Sequence, residues 1–239
     1  MTRNAIRGFL FCGLLAAASY GFAQDHPQGQ STTQLRLRVV SAAAGRHHTA
    51  PAVVWLKPLA GTPSLPFASQ GHYALLQTNR TFIPHLQVVP VGSVVSFPNA
   101  DPFFHNVFSL FEGKRFDLGL YEAGSSRSVT FSREGVSYIF CNIHPEMSAV
   151  VLALSTPLNA IAASDGSVTL QGIPLGDYRM HIWIEGVPPA SLESLSRTLH
   201  LSSEPLDLGT VNAPLGRPEE RHHSNKFGAP YDTHTPSPY

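Results

Sequence analysis

Short runs in which apolar side chains return at every second position, cut off repeatedly by proline and glycine, most limit what this chain can fold into. Leu35, Leu37 and Val39 alternate with Gln34, Arg36 and Arg38, as in a strand with one face buried and the other wet. Residues 52–56 read as a second strand beyond a turn near Gly45, and residues 60–72, rich in Pro, Ser and Gly, as a loop. Strand patterns resume at residues 74–77, 82–83, 85–89, 94–97, 106–110, 128–131, 136–140 and 148–154. Almost no segment repeats at the helical period. Twenty prolines and nineteen glycines supply the turns that so many short strands need. The expected fold class is all-β, with antiparallel sheets forming a sandwich or barrel.

The pattern restarts after Pro157. Asp165-Gly166 and Pro174-Leu175-Gly176-Asp177 are turn sequences. Val168 and Leu170 flank Thr169, and Tyr178, Met180, Ile182 and Ile184 alternate with Arg179, His181 and Trp183. Leu199, Leu201, Leu206 and Leu208 supply closing strands. Residues 155–213 thus form a small β unit, near the lower size limit for folding alone, and are expected to pack on a first unit spanning 24–154. Residues 32–59 fit either the first sheet or a separate β unit. Residues 214–239 carry five prolines, few aliphatics and three histidines, His222, His223 and His234, and read as a disordered tail.

The N-terminus reads as an export signal. Arg3 and Arg7 accompany an apolar stretch, residues 8–18, that is too short to span a bilayer. Gly21-Phe22-Ala23 then offers small residues where a signal peptidase reads them. Removal of residues 1–23 gives a periplasmic or secreted protein with no stable membrane span. The balance of 16 basic and 16 acidic residues recommends neither a nucleic-acid partner nor an anionic membrane surface. Cys12 leaves with the signal, so the mature chain keeps one thiol, Cys141. An unpaired thiol in an exported protein is an inert buried group, a nucleophile, an intermolecular bridge or a metal ligand.

The surrounding residues favour the last. In Tyr138-Ile139-Phe140-Cys141-Asn142-Ile143-His144-Pro145-Glu146-Met147 a strand delivers Cys141 to one end of the sheet, and the chain turns at Pro145. Thiolate, imidazole and thioether crowd one short loop. Upstream, Asp101-Pro102-Phe103-Phe104-His105-Asn106-Val107 brings a second imidazole to the start of another strand. One thiolate, two imidazoles and a weak thioether make a blue-copper ligand set, in which soft sulfur favours Cu(I) and imidazole also suits Cu(II). Structural zinc takes more cysteines and catalytic zinc keeps an open position; Met147 argues against both. The expected site is therefore one copper ion on His105, Cys141, His144 and Met147, with no catalytic residues. Glu146 is a minor alternative to Met147. His85, His181 and the pair His47-His48 read as surface, core or interface histidines. Phe103, Phe104 and Pro145 form either an apolar docking patch or part of the core.

From about Tyr73 to Leu154 the chain resembles the cupredoxins. The spacing Cys141/His144/Met147 is similar to the short ligand loop of amicyanin, whereas plastocyanin and pseudoazurin have longer loops. Residues 88–99, with Asp101 and His105-Asn106-Val107, resemble the cupredoxin pattern around the first histidine. The phrases Phe116-Asp117-Leu118-Gly119-Leu120-Tyr121 and Cys141-Asn142-Ile143-His144-Pro145-Glu146-Met147 also resemble methylamine-utilisation-like proteins, a match covering most of the mature chain. The resemblance implies a Greek-key sandwich, a type 1 copper and single-electron transfer with exported partners such as a dehydrogenase or c-type cytochrome. It also implies that Asn106 steadies the copper loop and helps set hydrogen bonding to the thiolate. A copper storage or delivery module would use the same ligands. A copper enzyme such as a nitrite reductase needs a second copper cluster, for which the sequence offers no convincing histidines. The second unit, through Asp165-Gly166, Pro174, Gly176-Asp177-Tyr178 and Trp183, resembles the transthyretin-like, carboxypeptidase-regulatory-like fold, which implies a structural or docking role.

Overall fold

The structure is a computed structural model that describes residues 31–41, 50–67, 72–110, 113–213 and 225–229. Its strands in chain order are β1 (Thr32–Ser41), β2 (Ala52–Pro58), β3 (Tyr73–Ala74), β4 (Leu76–Thr78), β5 (Thr81–Ile83), β6 (Leu86–Pro90), β7 (Val94–Pro98), β8 (His105–Ser109) and β9 (Phe116–Tyr121). There follow β10 (Ser126–Thr130), β11 (Gly135–Cys141), β12 (Ser148–Leu154), β13 (Asn159–Ile161), β14 (Ser167–Pro174), β15 (Gly176–Ile184), β16 (Arg197–Leu201) and β17 (Leu206–Ala213). Among the described residues one short helix, α1 (Pro189–Glu193), interrupts them. The chain is all-β, as its alternation requires.

Four sheets stack as layers, with strand orders β14-β1-β17, β13-β2-β15-β16, β6-β12-β11-β8-β9 and β10-β7-β3. Side-chain alternation decides what fills the space between them. Leu35, Leu37 and Val39 of β1 meet Val54 and Leu56 of β2 and Met180 and Ile182 of β15 between the first two sheets. The opposite faces of β2 and β15 send Val53 and Trp183 against Val150, Leu152 and Leu154 of β12. The other face of β12, through Ala149, Val151 and Ala153, packs with Phe97, Val107, Phe131, Ile139 and Cys141 between the last two sheets. Burial on both faces is why β12 reads as a continuous apolar run rather than an alternating one.

Strand pairing decides where residues 32–59 go. β1 runs antiparallel to β14 and parallel to β17, while β2 pairs with β13 and β15. A first unit running unbroken from 24 to 154 is therefore not what the sheets make. The two N-terminal strands complete the C-terminal sandwich, and the ligand candidates sit in sheets built from residues 73–154. Alternation fixes which face of a strand is buried but not its partner, so the sequence left this choice open.

β9 was hidden by a bulge. Asn106 pairs with Leu120 and Phe108 with Asp117, so the register shifts between them. Gly119, at φ 67°, takes up the shift. Beyond it Tyr121 is buried and Leu120 is exposed, the reverse of what the spacing of Phe116, Leu118 and Leu120 implies. The expected signal, residues 1–23, lies outside the described residues. So do His47-His48, His222, His223 and His234. Within the expected disordered tail, residues 225–229 form a turn in which Asn225 Oδ1 accepts the N–H groups of Phe227 and Ala229. No helix among the described residues is long and apolar enough to cross a membrane.

Polar contacts also bridge the two sandwiches, among them Lys57 with Glu134, Trp183 with Tyr138, and His85 with Glu185. His85 Nε2 lies 2.6 Å from Glu185 Oε1, and its Nδ1 lies 3.1 Å from the Ser148 carbonyl. The hydrogen bond to Glu185 raises the His85 pKa above 6.5, against the opposing effect of burial. A raised folded pKa stabilises the protein fully below the unfolded value of 6.5, and that contribution is lost as pH rises through the folded pKa. The side chains are 43% and 33% exposed, so the contribution is at most about 1 kcal/mol. Glu185→Gln should remove the loss of stability that sets in as pH rises above 6.5 in urea titrations, leaving a flatter profile.

Candidate metal centre

The two segments singled out in the sequence meet at one end of the β6-β12-β11-β8-β9 sheet. β11 ends at Cys141 and β8 begins at His105, and Cys141 pairs directly with Val107. The loop between β11 and β12 is closed by its own backbone. Cys141 N–H donates to the Met147 carbonyl at 3.1 Å, and Met147 N–H to the His144 carbonyl at 3.0 Å. Asn142 N–H donates to the Asn106 carbonyl at 3.0 Å, tying this loop to β8. Main-chain bonds thus set where the ligand side chains begin.

Three ligand atoms converge. Cys141 Sγ lies 3.6 Å from His105 Nδ1 and 3.5 Å from His144 Nδ1, and the two nitrogens are 3.2 Å apart. All three residues are buried. The point equidistant from the three atoms is about 2.0 Å from each, which is the length of an imidazole–metal bond. The cluster therefore fits a single transition-metal ion at its centre. Met147 is fully buried beside it in the same apolar layer, whereas Glu146 is exposed. Among the described residues this is the one group of three His, Cys, Asp or Glu side chains close enough to share an ion.

Protonation suits such a role. Burial holds His144 down to about 4, helped by His105 and Arg80. Burial also lowers His105, although Asp101 pulls the other way. Both rings are therefore neutral near pH 7, as a metal ligand must be. Burial pushes the Cys141 thiol up, while N–H groups of Asn106, Ile143 and His144 favour the thiolate. A cation at the centre of the triangle would complete the charge that those amides begin to offset.

His105 is oriented by a carboxylate. Its Nε2 lies 2.9 Å from Asp101 Oδ2; a carboxylate only accepts, so Nε2 carries the proton and Nδ1 presents its lone pair to the cluster. Asp101 is itself fixed by the N–H groups of Asn79 at 2.6 Å and Arg80 at 3.0 Å. Burial works to raise its pKa, but bonds from Arg80, His105 and Asn79 outweigh this and hold the carboxyl below the usual range. Those two amides belong to the tight β4–β5 turn, where Asn79 and Arg80 both have positive φ. Asn99 shapes the intervening loop, accepting from the Asp101 N–H and donating to the Phe103 carbonyl. Phe103 packs on both imidazoles, with ring centroids 5.4 and 5.5 Å away. His144 has no carboxylate counterpart: its Nε2 is buried without a hydrogen-bond partner among the described residues, and ring packing orients it.

Asn106 stands beside the cluster. Its backbone carbonyl holds Asn142 and its N–H faces the thiol, while its side chain donates to Asp117 Oδ1 at 2.7 Å. The other sequence candidates lie apart. His181 stacks on Trp55, with ring centroids 5.3 Å apart, and His85 bridges to Glu185. Phe104 is exposed at 41%, while Phe103 is half-buried against the rings. Sequence reasoning gave no orienting role to Asp101 and did not find Asp117 or the turn at Asn79 and Arg80. Asp101 lies four residues before His105 in an irregular loop, where spacing carries no facing rule like that of a helix.

No family model matches the chain, and no curated protein matches it. Solved structures do. It is similar to a purple cupredoxin from Nitrosopumilus maritimus, at 25% identity over 34% of this chain and 96% of that one, with a TM-score of 0.31. It is similar to the reduced state of an amicyanin variant, at 21% identity over 42% of this chain and 99% of that one, with a TM-score of 0.33. A Cu-containing nitrite reductase from Thermus scotoductus matches at 20% identity and a TM-score of 0.33. That match covers 41% of this chain and 28% of the reductase. The roles of individual side chains rest on the geometry above.

Replacing Asp101 by Ala frees the His105 ring and removes its acceptor. Affinity for Cu(II) or Zn(II), measured by competition with a chelator, should fall about 10–100-fold while the fold is retained.

Proposed function

We propose that the protein is a type 1 blue-copper electron carrier of the cupredoxin kind, with one copper held by His105, Cys141, His144 and the thioether of Met147. The observation that supports this most is the triangle of one thiol sulfur and two neutral imidazole nitrogens, all buried, around a point at metal-bond distance from each. Bound copper would supply a one-electron Cu(I)/Cu(II) couple. One thiolate and two imidazoles satisfy both oxidation states, and a weak thioether spares the ion a large rearrangement between them.

The chain's own residues would supply rigidity and dryness. Asp101 and Phe103 hold His105 at its two ends, and the backbone bonds among Cys141, His144 and Met147 hold the loop. Burial of every ligand keeps water from becoming a further one. Export through residues 1–23 would place the protein in the periplasm or outside the cell, with a dehydrogenase or c-type cytochrome as redox partner. The second sandwich, which resembles the transthyretin-like fold, would serve as a structural buttress. We assign no catalytic residue.

The purified protein, loaded with copper and oxidised, should show intense visible absorption from thiolate-to-copper charge transfer, and Cys141→Ser should abolish it. A colourless Cu(II) form of the intact chain would refute the proposal. Rapid reversible exchange at an electrode is the result expected of a carrier. Release of Cu(I) to an acceptor without such cycling would instead mark a storage or delivery module.

A further inference from the structure

We infer that the Asn225–Ala229 turn is a clasp on the ligand loop, with Lys226 as a positioning residue for Cys141. The turn is internally closed: Asn225 N–H donates to the Ala229 carbonyl at 2.8 Å and Gly228 N–H to the Asn225 carbonyl at 2.9 Å. Asn225 Oδ1 takes two further N–H groups of the same turn. Gly228 sits at φ 79° and fits that conformation because it has no Cβ. The segment therefore presents Lys226 in a fixed conformation.

Lys226 is attached at two points, and both lead to the cluster. Its backbone N–H donates to Asn142 Oδ1 at 2.9 Å, on the residue that follows Cys141. Its Nζ donates to Asp117 Oδ2 at 2.8 Å. The second oxygen of Asp117 accepts from Asn106 Nδ2 and Gly119 N–H, and Asn106 accepts the Asn142 N–H through its carbonyl. Lys226, Asn142, Asn106 and Asp117 thus form a closed ring of hydrogen bonds, and Cys141 lies next to one member of it. The ring joins three segments that are distant in sequence: the β8–β9 pair, the ligand loop and the tail. The Lys226 and Asp117 side chains are 26% and 42% exposed, so the clasp can open without unfolding the sandwich.

The inference rests on the copper reading only for its role toward the metal; the contacts can be tested on the metal-free protein. In the full-length chain, alkylation of the Cys141 thiol is followed by mass spectrometry of its peptide, which separates it from Cys12. Lys226→Ala should speed labelling about threefold, since one half-exposed ion pair is lost. Gly228→Val should speed it about tenfold, because a branched side chain at positive φ opposes the turn. A Cβ there meets no atom within 4 Å, so only the turn is strained. Lys57→Ala, which removes the ion pair with Glu134, should leave labelling unchanged. In the copper-loaded protein the two tail variants should move the thiolate-to-copper absorption and Lys57→Ala should not. Labelling within about 1.5-fold of the native rate in both tail variants overturns the clasp, given the loss expected from one ion pair. Equal acceleration by Lys57→Ala, or acceleration matched by a fall in global stability in urea, overturns it too. If the chain holds no copper at all, the functional proposal fails and the labelling result still decides the clasp.

Discussion

Three polar atoms held a few ångströms apart in an apolar interior are the constraint on which the ligand end of this protein depends. Two imidazole nitrogens 3.2 Å apart, with a thiol sulfur at similar distance from both, do not come together through hydrophobic burial. Desolvation alone costs such groups free energy. They are kept there by main-chain bonds that close the 141–147 loop and by a carboxylate that fixes one ring. The apolar layer around them is the same one that packs Val107, Ile139 and Phe131. Folding thus assembles the cluster, and an ion at its centre would return part of that cost.

The support is asymmetric. His105 is anchored at Nε2 by Asp101, which is anchored in turn by two amides of a hairpin turn. His144 is positioned by Phe103, His105 and the loop backbone. One imidazole therefore belongs to a rigid network and the other to a loop. A disturbance of the loop would be felt first at Cys141 and His144, while His105 keeps its orientation.

Much of this was legible in the sequence. The period of two gave an all-β chain, and the crowding of Cys141, His144 and Met147 with His105 upstream gave three side chains that the structure brings within reach of one another, with the fourth buried beside them. What was not legible has a common cause. Strand partners are non-local, so the pairing of residues 32–58 with the C-terminal strands could not be read from alternation. A bulge at Gly119 inverted the pattern of β9. Asp101 and Lys226 act from irregular segments, where no periodicity relates spacing to direction, and Asp117 acts from the bulged strand β9. The turn at residues 225–229 reads Asn-Lys-Phe-Gly-Ala ahead of Pro230, and no pattern in it sets it apart from a solvated tail.

The central strand β12 has one further consequence. One of its faces serves the layer beneath the ligand cluster and the other serves the contact with the second sandwich, through Val150, Leu152 and Leu154 against Trp183 and Val53. Neither sandwich can melt without uncovering apolar side chains of the other. The apolar surface that β12 shares with the second sandwich therefore also shields the layer beneath the ligand cluster, so the site leans on contacts beyond the sheets that contain it.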